Sequence, residues 1–228
     1  MGFWKQGNVT QQQTRREFVV VGMGRFGSST AKTLVSYGHD VLVIDINPER
    51  VQHLSRTLPH VIQLDATKVE ALRQAGIDQF HTGLVCISNN FEHNLLTAVH
   101  LLRLGVQHVI VKARTHTQKT ILEEIGVHKV ILPEREAGVR LGRRLAHPNF
   151  IDYLQIKGSI SIIELSAPAN LQGSTLGECD LRQRFKLNVV AVQRNENIIS
   201  NPGAAFRIEM GDILMVIGQV EDAERFGK

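Results

Sequence analysis

Cysteine is scarce in this chain of 228 residues: Cys86 and Cys179 are the only two, and they form no C-x-x-C pair. That excludes a disulfide framework, a zinc ribbon and a dithiol redox motif as organising features. Cys86 lies inside an apolar run, and both thiols read as small buried hydrophobes. No apolar stretch approaches the ~18 residues that a membrane-spanning helix needs. Met1 to Glu17 is polar, rich in Gln and without an apolar h-region, so it does not read as a signal peptide, and a cytoplasmic location is expected. The ten histidines include no H-E-x-x-H, so the sequence offers no metalloprotease-type metal site. Neither G-x-S-x-G nor G-x-x-x-x-G-K-[S/T] occurs, which removes the nucleophile elbow and the Walker loop. There is no tandem repeat, and Gln11 to Gln13 is the one low-complexity tract.

What is present is an ordinary globular composition, 43% hydrophobic and 21% charged, with length for one large domain or two modest ones. The net charge of +4 and the pI near 9.3 admit an acidic partner, an anionic ligand or a membrane surface, and specify none of them.

Residues 1–16 carry no usable periodicity and are expected to form a flexible arm. From 17 to 147, short apolar runs alternate with helical patterns. Phe18 to Val21 is a continuous apolar run of the kind buried on both faces of a parallel sheet. Similar runs follow at Val41 to Ile44, Val61 to Leu64, Leu84 to Ile87, Val109 to Val111 and Val130 to Leu132. The intervening segments read as helices. Ala31, Leu34 and Val35 share one face of a helix over Ser28 to Tyr37. Asn47 and Pro48 start the next helix as N-cap and first residue, with Val51, Leu54 and Leu58 facing inward. Thr67 and Glu70 are spaced as a capping box for a helix from Lys68 to Ala75. Further helical patterns surround Leu95, Ala98, Val99 and Leu102, then Ile121, Leu122 and Ile125, and a last one runs from Glu134 to Ala146. This alternation predicts a Rossmann-like, doubly wound parallel sheet. Residues 148–158 are expected to be a connector. Residues 159–228 read as a small α+β domain, with strands around Ile160 to Leu165, Asn188 to Val192, Ile198-Ile199 and Ile213 to Ile217. Tight turns are expected at Asn195 to Asn197 and Met210 to Asp212, and one helix over Leu176 to Phe185.

The chemistry concentrates after the strands, where open α/β sheets bind their ligands. Gly22-Met23-Gly24-Arg25-Phe26-Gly27 follows the first strand and opens the first helix. In such a G-x-G-x-x-G loop the first Gly makes the tight turn and the second lets a pyrophosphate approach. The third lets helix and strand pack closely, and the helix N-terminus attracts the anion. Asp45 ends the second strand, where a carboxylate binds ribose hydroxyls and repels a 2′-phosphate, so NADP is disfavoured. Arg25 adds a cation inside the loop, suited to a terminal phosphate. Asp65, Ser88, Asn89 and Lys112 are strand-end residues that could line the nucleotide, and Glu134 could ligate a divalent ion on its phosphates. Each also has a plainer reading as a solvated strand-end, loop or helix-start residue.

Reaction machinery is harder to find. The second half is small for a substrate domain, has no His and offers no obvious acid/base couple among Glu164, Glu178, Asp180 and Asp212. A nucleotide sensor or regulator is therefore expected rather than an enzyme. A small NAD-dependent oxidoreductase is the alternative, and a redox-sensing transcription regulator a second one. The latter lacks a helix-turn-helix signal, and Arg135, Arg140, Arg143 and Arg144 read as a solvated helix face, so no nucleic acid partner is expected.

Several segments together resemble the RCK (KTN) domain that regulates potassium conductance. They are Val20 to Gly27, Val43 to Asn47, Asp65-Ala66-Thr67, Val111 to Arg114, Leu122 to Gly126 and Val130 to Glu134. The second half resembles the smaller C-terminal RCK subdomain at Ile162 to Leu165, Gly173 to Leu176, Leu187 to Ala191, Asn201-Pro202 and Gly211 to Leu214. The likeness runs in order from about residue 17 to 220 and is to the cytosolic subunit of a Ktr-type potassium uptake system. It implies an octameric ring, a tetramer of dimers, held peripherally on the inner face of the membrane below a potassium-transporting subunit. It implies ATP as activating and ADP as inactivating ligand, with NAD or NADH as alternative occupants, and Mg, Ca or Na accompanying ATP. Nucleotide contacts then fall on Gly22, Gly24, Arg25, Phe26, Gly27, Asp45, Ile46, Asn47, Asp65, Ala66, Ile87, Ser88, Asn89, Lys112, Ala113, Arg114 and Glu134. Arg25 takes the γ-phosphate role and Glu134 the cation. Asp65 stands where relatives often have Asn, and Gln118 where some have His.

Overall fold

The computed structural model describes residues 16–226, so the expected arm over 1–16 lies, Arg16 apart, outside the described residues. The chain divides into two compact units between Pro133 and Glu134.

In the first unit six strands form one parallel sheet: β1 (Glu17–Val21), β2 (Asp40–Asp45), β3 (His60–Gln63), β4 (Thr82–Val85), β5 (His108–Lys112) and β6 (Lys129–Ile131). Their order is β3-β2-β1-β4-β5-β6. β1 is central because it is apolar on both sides. Val19 is buried among Ile44, Val85 and Leu101, while Val20 is buried in a second cluster with Met23, Val43 and Leu84. The order reverses between β1 and β4, which opens a crevice at their carboxyl ends. The helices are α1 (Arg25–Ser36), α2 (Pro48–Leu54), α3 (Val69–Gln74), α4 (Phe91–Arg103) and α5 (His116–Glu124). The expected alternation of strands and helices is present.

Local details differ from the sequence reading. α1 begins at Arg25 instead of Ser28, because Gly24 takes the N-cap position in extended backbone and the helix grows straight out of the glycine loop. α2 starts as expected: the Asn47 side chain accepts the Arg50 N–H at 3.0 Å. It ends at Leu54, and Leu58 is buried beyond it. The expected Thr67–Glu70 capping box does not form. The Asp65 carboxylate takes both the Thr67 N–H, at 3.0 Å, and the Thr67 hydroxyl, at 2.7 Å. Glu70 instead pairs with Arg73 at 2.7 Å. The nearer carboxylate wins because it satisfies two donors from one residue.

The second unit contains α6 (Pro133–Ala146) from Glu134 onward, and an antiparallel sheet of β7 (Phe150–Lys157), β8 (Ile160–Ser166), β9 (Asn188–Arg194), β10 (Asn197–Ser200) and β11 (Ile213–Gln219). Its order is β10-β9-β11-β8-β7. Residues 148–158, expected as a connector, are therefore mostly an edge strand paired with β8. Two register shifts, at Phe150/Asp152 and Gln155/Lys157, hide its period-two pattern from the sequence. The helix expected over Leu176 to Phe185 is broken into α7 (Leu176–Cys179) and α8 (Leu181–Phe185) by Asp180, whose φ of 44° is left-handed. Thr175 and Glu178 cap α7 with a complete capping box. Asn195, at φ 56°, makes the tight turn between β9 and β10. Ile163, Leu165, Leu214 and Val216 are fully buried at the centre of this unit, in which α9 (Val220–Ala223) is the last helix. Among the described residues no helix is long and apolar enough to cross a membrane.

Candidate nucleotide-binding site

The crevice over β1 and β4 holds a cavity of about 210 Å³ lined by the loops that leave four adjacent strands. Gly22 and Gly24 come from β1, Asp45 and Ile46 from β2, Leu64 to Thr67 from β3, and Cys86 to Asn90 from β4.

The glycine loop has the shape its spacing requires. Gly22 has a φ of +94°, and a Cβ there would meet the Cys86 and Ile87 backbone at 2.9–3.0 Å. Gly27 is buried against the Gly22 carbonyl, with no room for a side chain. Gly24 has open space around it, which a ligand's phosphate can enter without meeting a side chain. A diphosphate group therefore fits the residues present: the cradle exists only because Cβ atoms are missing, and the first turn of α1 supplies unpaired N–H groups with no acidic residue among them.

Asp45 is 5% exposed. One carboxylate oxygen accepts the Met23 N–H at 2.7 Å and the other accepts the Asn47 N–H at 2.8 Å. Arg50 stands 3.5 Å from it. Asp45 thus braces the glycine loop besides lining the cavity. Across the cavity, Thr67 holds the Asp65 carboxyl below the usual carboxylate range, chiefly by its hydroxyl, with Lys68 and His93 adding weaker attraction.

On the β5 side, the Lys112 ammonium donates to the Ser88 hydroxyl at 3.2 Å and lies 5.9 Å from the centre of the Phe26 ring. The Arg114 guanidinium donates to the Ser88 carbonyl at 3.3 Å. Two cations thus meet the chain at the residue that lines the cavity. Ala113 is buried, its N–H bound to the Ile131 carbonyl. Gln118 turns back to accept the Arg114 N–H at 2.9 Å.

The structure brings together Gly22, Gly24, Asp45, Ile46, Asp65, Ala66, Ile87, Ser88 and Asn89 around one cavity. Phe26, Gly27, Asn47, Lys112 and Arg114 do not line it; Asn47, Lys112 and Arg114 are hydrogen-bonded to residues that do. Arg25 faces a neighbouring depression that it shares with Ser28, Lys32, Glu49, Arg50 and His53. Glu134 lies in the first turn of α6, in the second unit. The sequence reading missed the polar lining residues Arg50, Thr67, Asn90 and His93, and the apolar Val21, Leu64 and Cys86. Asn90 could have been found, because it is a helix N-cap directly after Asn89, and its side chain accepts the His93 N–H. His93 and Arg50 sit in the first turn of their helices and reach the cavity through the fold. Among the described residues no three His, Cys, Asp or Glu side chains are placed to hold a metal ion.

A six-stranded parallel sheet in this order, with a glycine loop at its switch point, defines a Rossmann-type nucleotide-binding domain, here followed by a β-rich second unit. Residues 18–133 match the TrkA-N domain and residues 160–228 match the TrkA-C domain. The chain belongs to this TrkA-N/TrkA-C family, the RCK regulatory subunits. It is 34% identical over 214 residues to the Ktr system potassium uptake protein C of Bacillus subtilis (strain 168), covering 94% of this chain and 97% of that protein. It is 31% identical to the Ktr system potassium uptake protein A of the same organism, over 92% of this chain and 95% of that one. Two solved structures share the fold: the GsuK channel bound to NAD and GsuK bound to ADP. The first has a TM-score of 0.62 at 18% identity and covers 92% of this chain and 38% of that chain. The second has a TM-score of 0.50 at 18% identity and covers 59% of this chain and 34% of that chain.

Proposed function

We propose that this chain is a cytoplasmic, nucleotide-sensing regulatory subunit that gates a membrane potassium-transporting subunit, with ATP favouring the active state and ADP the inactive one. The observation that carries the reading is the switch-point cavity itself, where a Cβ-free diphosphate cradle stands beside a buried carboxylate braced to the loop. The Ktr relatives, similar over nearly their whole length, support the role in potassium uptake. The GsuK structures with NAD and ADP support an adenine nucleotide as occupant and keep NAD or NADH as alternatives in the same cavity.

A sensor must tell ATP from ADP by one phosphate. Arg25, in the first turn of α1, is the proposed reader of the γ-phosphate, with Lys112 and Arg114 completing a cationic rim. Glu134 is proposed to act through Mg, Ca or Na, whose other ligands would be the nucleotide's own phosphate oxygens. The bound nucleotide acts as a signal: it shifts the population of two assembly shapes by its difference in affinity for them, and each tenfold difference is worth about 1.4 kcal/mol. The assembly is proposed as an octameric ring of this chain, a tetramer of dimers, held at the inner face of the membrane. Leu141 and Leu145, 56% and 76% exposed on α6, support burial against a further copy.

The test is calorimetric titration of the full chain with ATP and ADP. Arg25→Ala is expected to remove most of the ATP-over-ADP preference while ADP still binds. Equal preference in mutant and wild type would sink the Arg25 assignment. Failure of a potassium-transporting membrane subunit to co-purify or to respond to nucleotide would overturn the regulatory reading.

A further inference from the structure

The nucleotide cavity lies at the carboxyl end of the parallel sheet, and a second groove, of about 490 Å³, opens at its amino end. It is lined by Glu17 of β1, by Asp40 to Leu42 of β2, by Pro59 to Ile62 at the start of β3 and by Phe80 just before β4. Leu42, Ile62 and Phe80 are half-buried: they pack on the core that holds Val19, Ile44 and Leu72, and they line the groove as well. No residue of α3 lines it. The floor is therefore apolar, while the rim carries two carboxylates, Glu17 and Asp40. Apolar side chains left half in water gain free energy when an apolar group covers them.

The chain enters β1 at this groove. The Arg16 carbonyl accepts the Asp40 N–H at 3.1 Å, one residue before Glu17. Residues 1–15, which lie outside the described residues, are thus joined to the fold at the groove's own rim. Their composition complements it. Phe3 and Trp4 are adjacent aromatics in an otherwise polar stretch, and the charges are Lys5 and Arg15, with no Asp or Glu. A buried Trp supplies a large apolar surface and keeps one N–H that needs an acceptor, which a rim carboxylate provides. From Trp4 to Glu17 the chain reaches at most about 45 Å when extended, ample to fold back onto a groove that starts at Glu17.

We propose that Phe3 and Trp4 seat in this groove of their own chain, with their rings on Leu42, Ile62 and Phe80 and the basic residues against Glu17 and Asp40, as a strap across the amino end of the sheet. The strap is independent of what the nucleotide cavity binds.

The experiment uses the full chain. Trp4 is its one Trp, so intrinsic Trp fluorescence reports on the strap alone. Wild type is expected to emit to the blue of the urea-unfolded chain and to be quenched less by acrylamide, with no change on dilution or on adding vesicles of anionic phospholipid. Phe3→Ser removes one anchor and leaves every described residue as it is. Glu17→Lys reverses a rim charge on an exposed residue. Ile62→Gln makes the floor polar. All three are expected to lose most of the blue shift, and the first two to melt close to wild type. Should Ile62→Gln fail to fold, Glu17→Lys decides. Wild-type emission like that of the unfolded chain overturns the strap. So does a blue shift kept in the folded groove variants, which places Trp4 elsewhere. A blue shift that fades on dilution gives the groove to a second copy, and one that appears only with vesicles gives the segment to a membrane; either result overturns the proposal.

Discussion

The Asp45 carboxylate accepts the Met23 backbone N–H at 2.7 Å, which ties the glycine loop to the end of β2. A residue read from the sequence as a ribose ligand is also the brace that shapes the phosphate cradle. Asp45→Ala leaves the buried Met23 N–H unpaired, at a cost of about 1–3 kcal/mol. The expected outcome is a lower melting temperature and loss of nucleotide binding together. Retained ADP affinity in a correctly folded Asp45→Ala variant would show that the brace is dispensable.

The three loop glycines are expected to separate by mechanism. Gly27 and Gly22 leave no space for a Cβ, so Gly27→Ala forces apart α1 and β1 and is expected to melt several degrees lower, in line with a cost of about 1–3 kcal/mol for overpacking. Gly24 has nothing near it, so Gly24→Ala is expected to melt like wild type and yet bind ADP more weakly. Melting curves and titrations on the two variants check this. An equal loss of stability in both would contradict the geometry.

In the second unit, Arg194 donates to both oxygens of the Asp212 carboxylate, at 2.9 and 2.8 Å, and Asp212 is fully buried. This pairing with Arg194 holds the Asp212 carboxyl below the usual range, helped by the Glu209 N–H. A carboxylate with a depressed folded pKa contributes stability that is present above its unfolded pKa, near 3.9, and is lost as pH falls through the folded value. Melting temperature is therefore expected to fall on the acid limb, below about pH 4, and the Asp212→Asn variant is expected to lose that component of the dependence. Asp212→Ala removes the buried acceptor of Arg194 and of the Glu209 N–H, while Arg194 keeps the Glu209 carboxylate and the Arg207 carbonyl, and is expected to cost about 1–3 kcal/mol by denaturant unfolding. A wild-type-like acid limb in Asp212→Asn would assign the dependence to other carboxylates.

Arg25 and Lys32 line the same depression beside α1, yet only Arg25 lies in the glycine loop. Lys32→Ala is expected to keep the ATP-over-ADP preference that Arg25→Ala loses. A loss in both variants would assign discrimination to the general positive field of that face, and higher salt would then reduce the preference in wild type.

Local chemistry made much of this protein legible before any coordinates. Gly22, Gly24 and Gly27 can be read in one dimension because a phosphate cradle imposes its spacing on consecutive residues. Phe18 to Val21 and its fellow runs can be read because a strand buried on both faces has to be apolar throughout. Asn47-Pro48 starts a helix wherever it stands. Other features depended on partners distant in sequence. β7 escaped notice because its pattern is broken by two register shifts that only its pairing with β8 defines. The Thr67–Glu70 box failed because Asp65 competed for the Thr67 hydroxyl. Thr97 and His100 carry no local signal at all: they meet the Ala66 and Thr67 carbonyls because the strand order brings α4 against a turn more than thirty residues earlier. Local propensity names which residues can bind a phosphate or start a helix. Which carbonyl a buried hydroxyl or imidazole meets is settled by packing, since burial removes water as the alternative partner and leaves each polar group only the neighbours that the fold supplies.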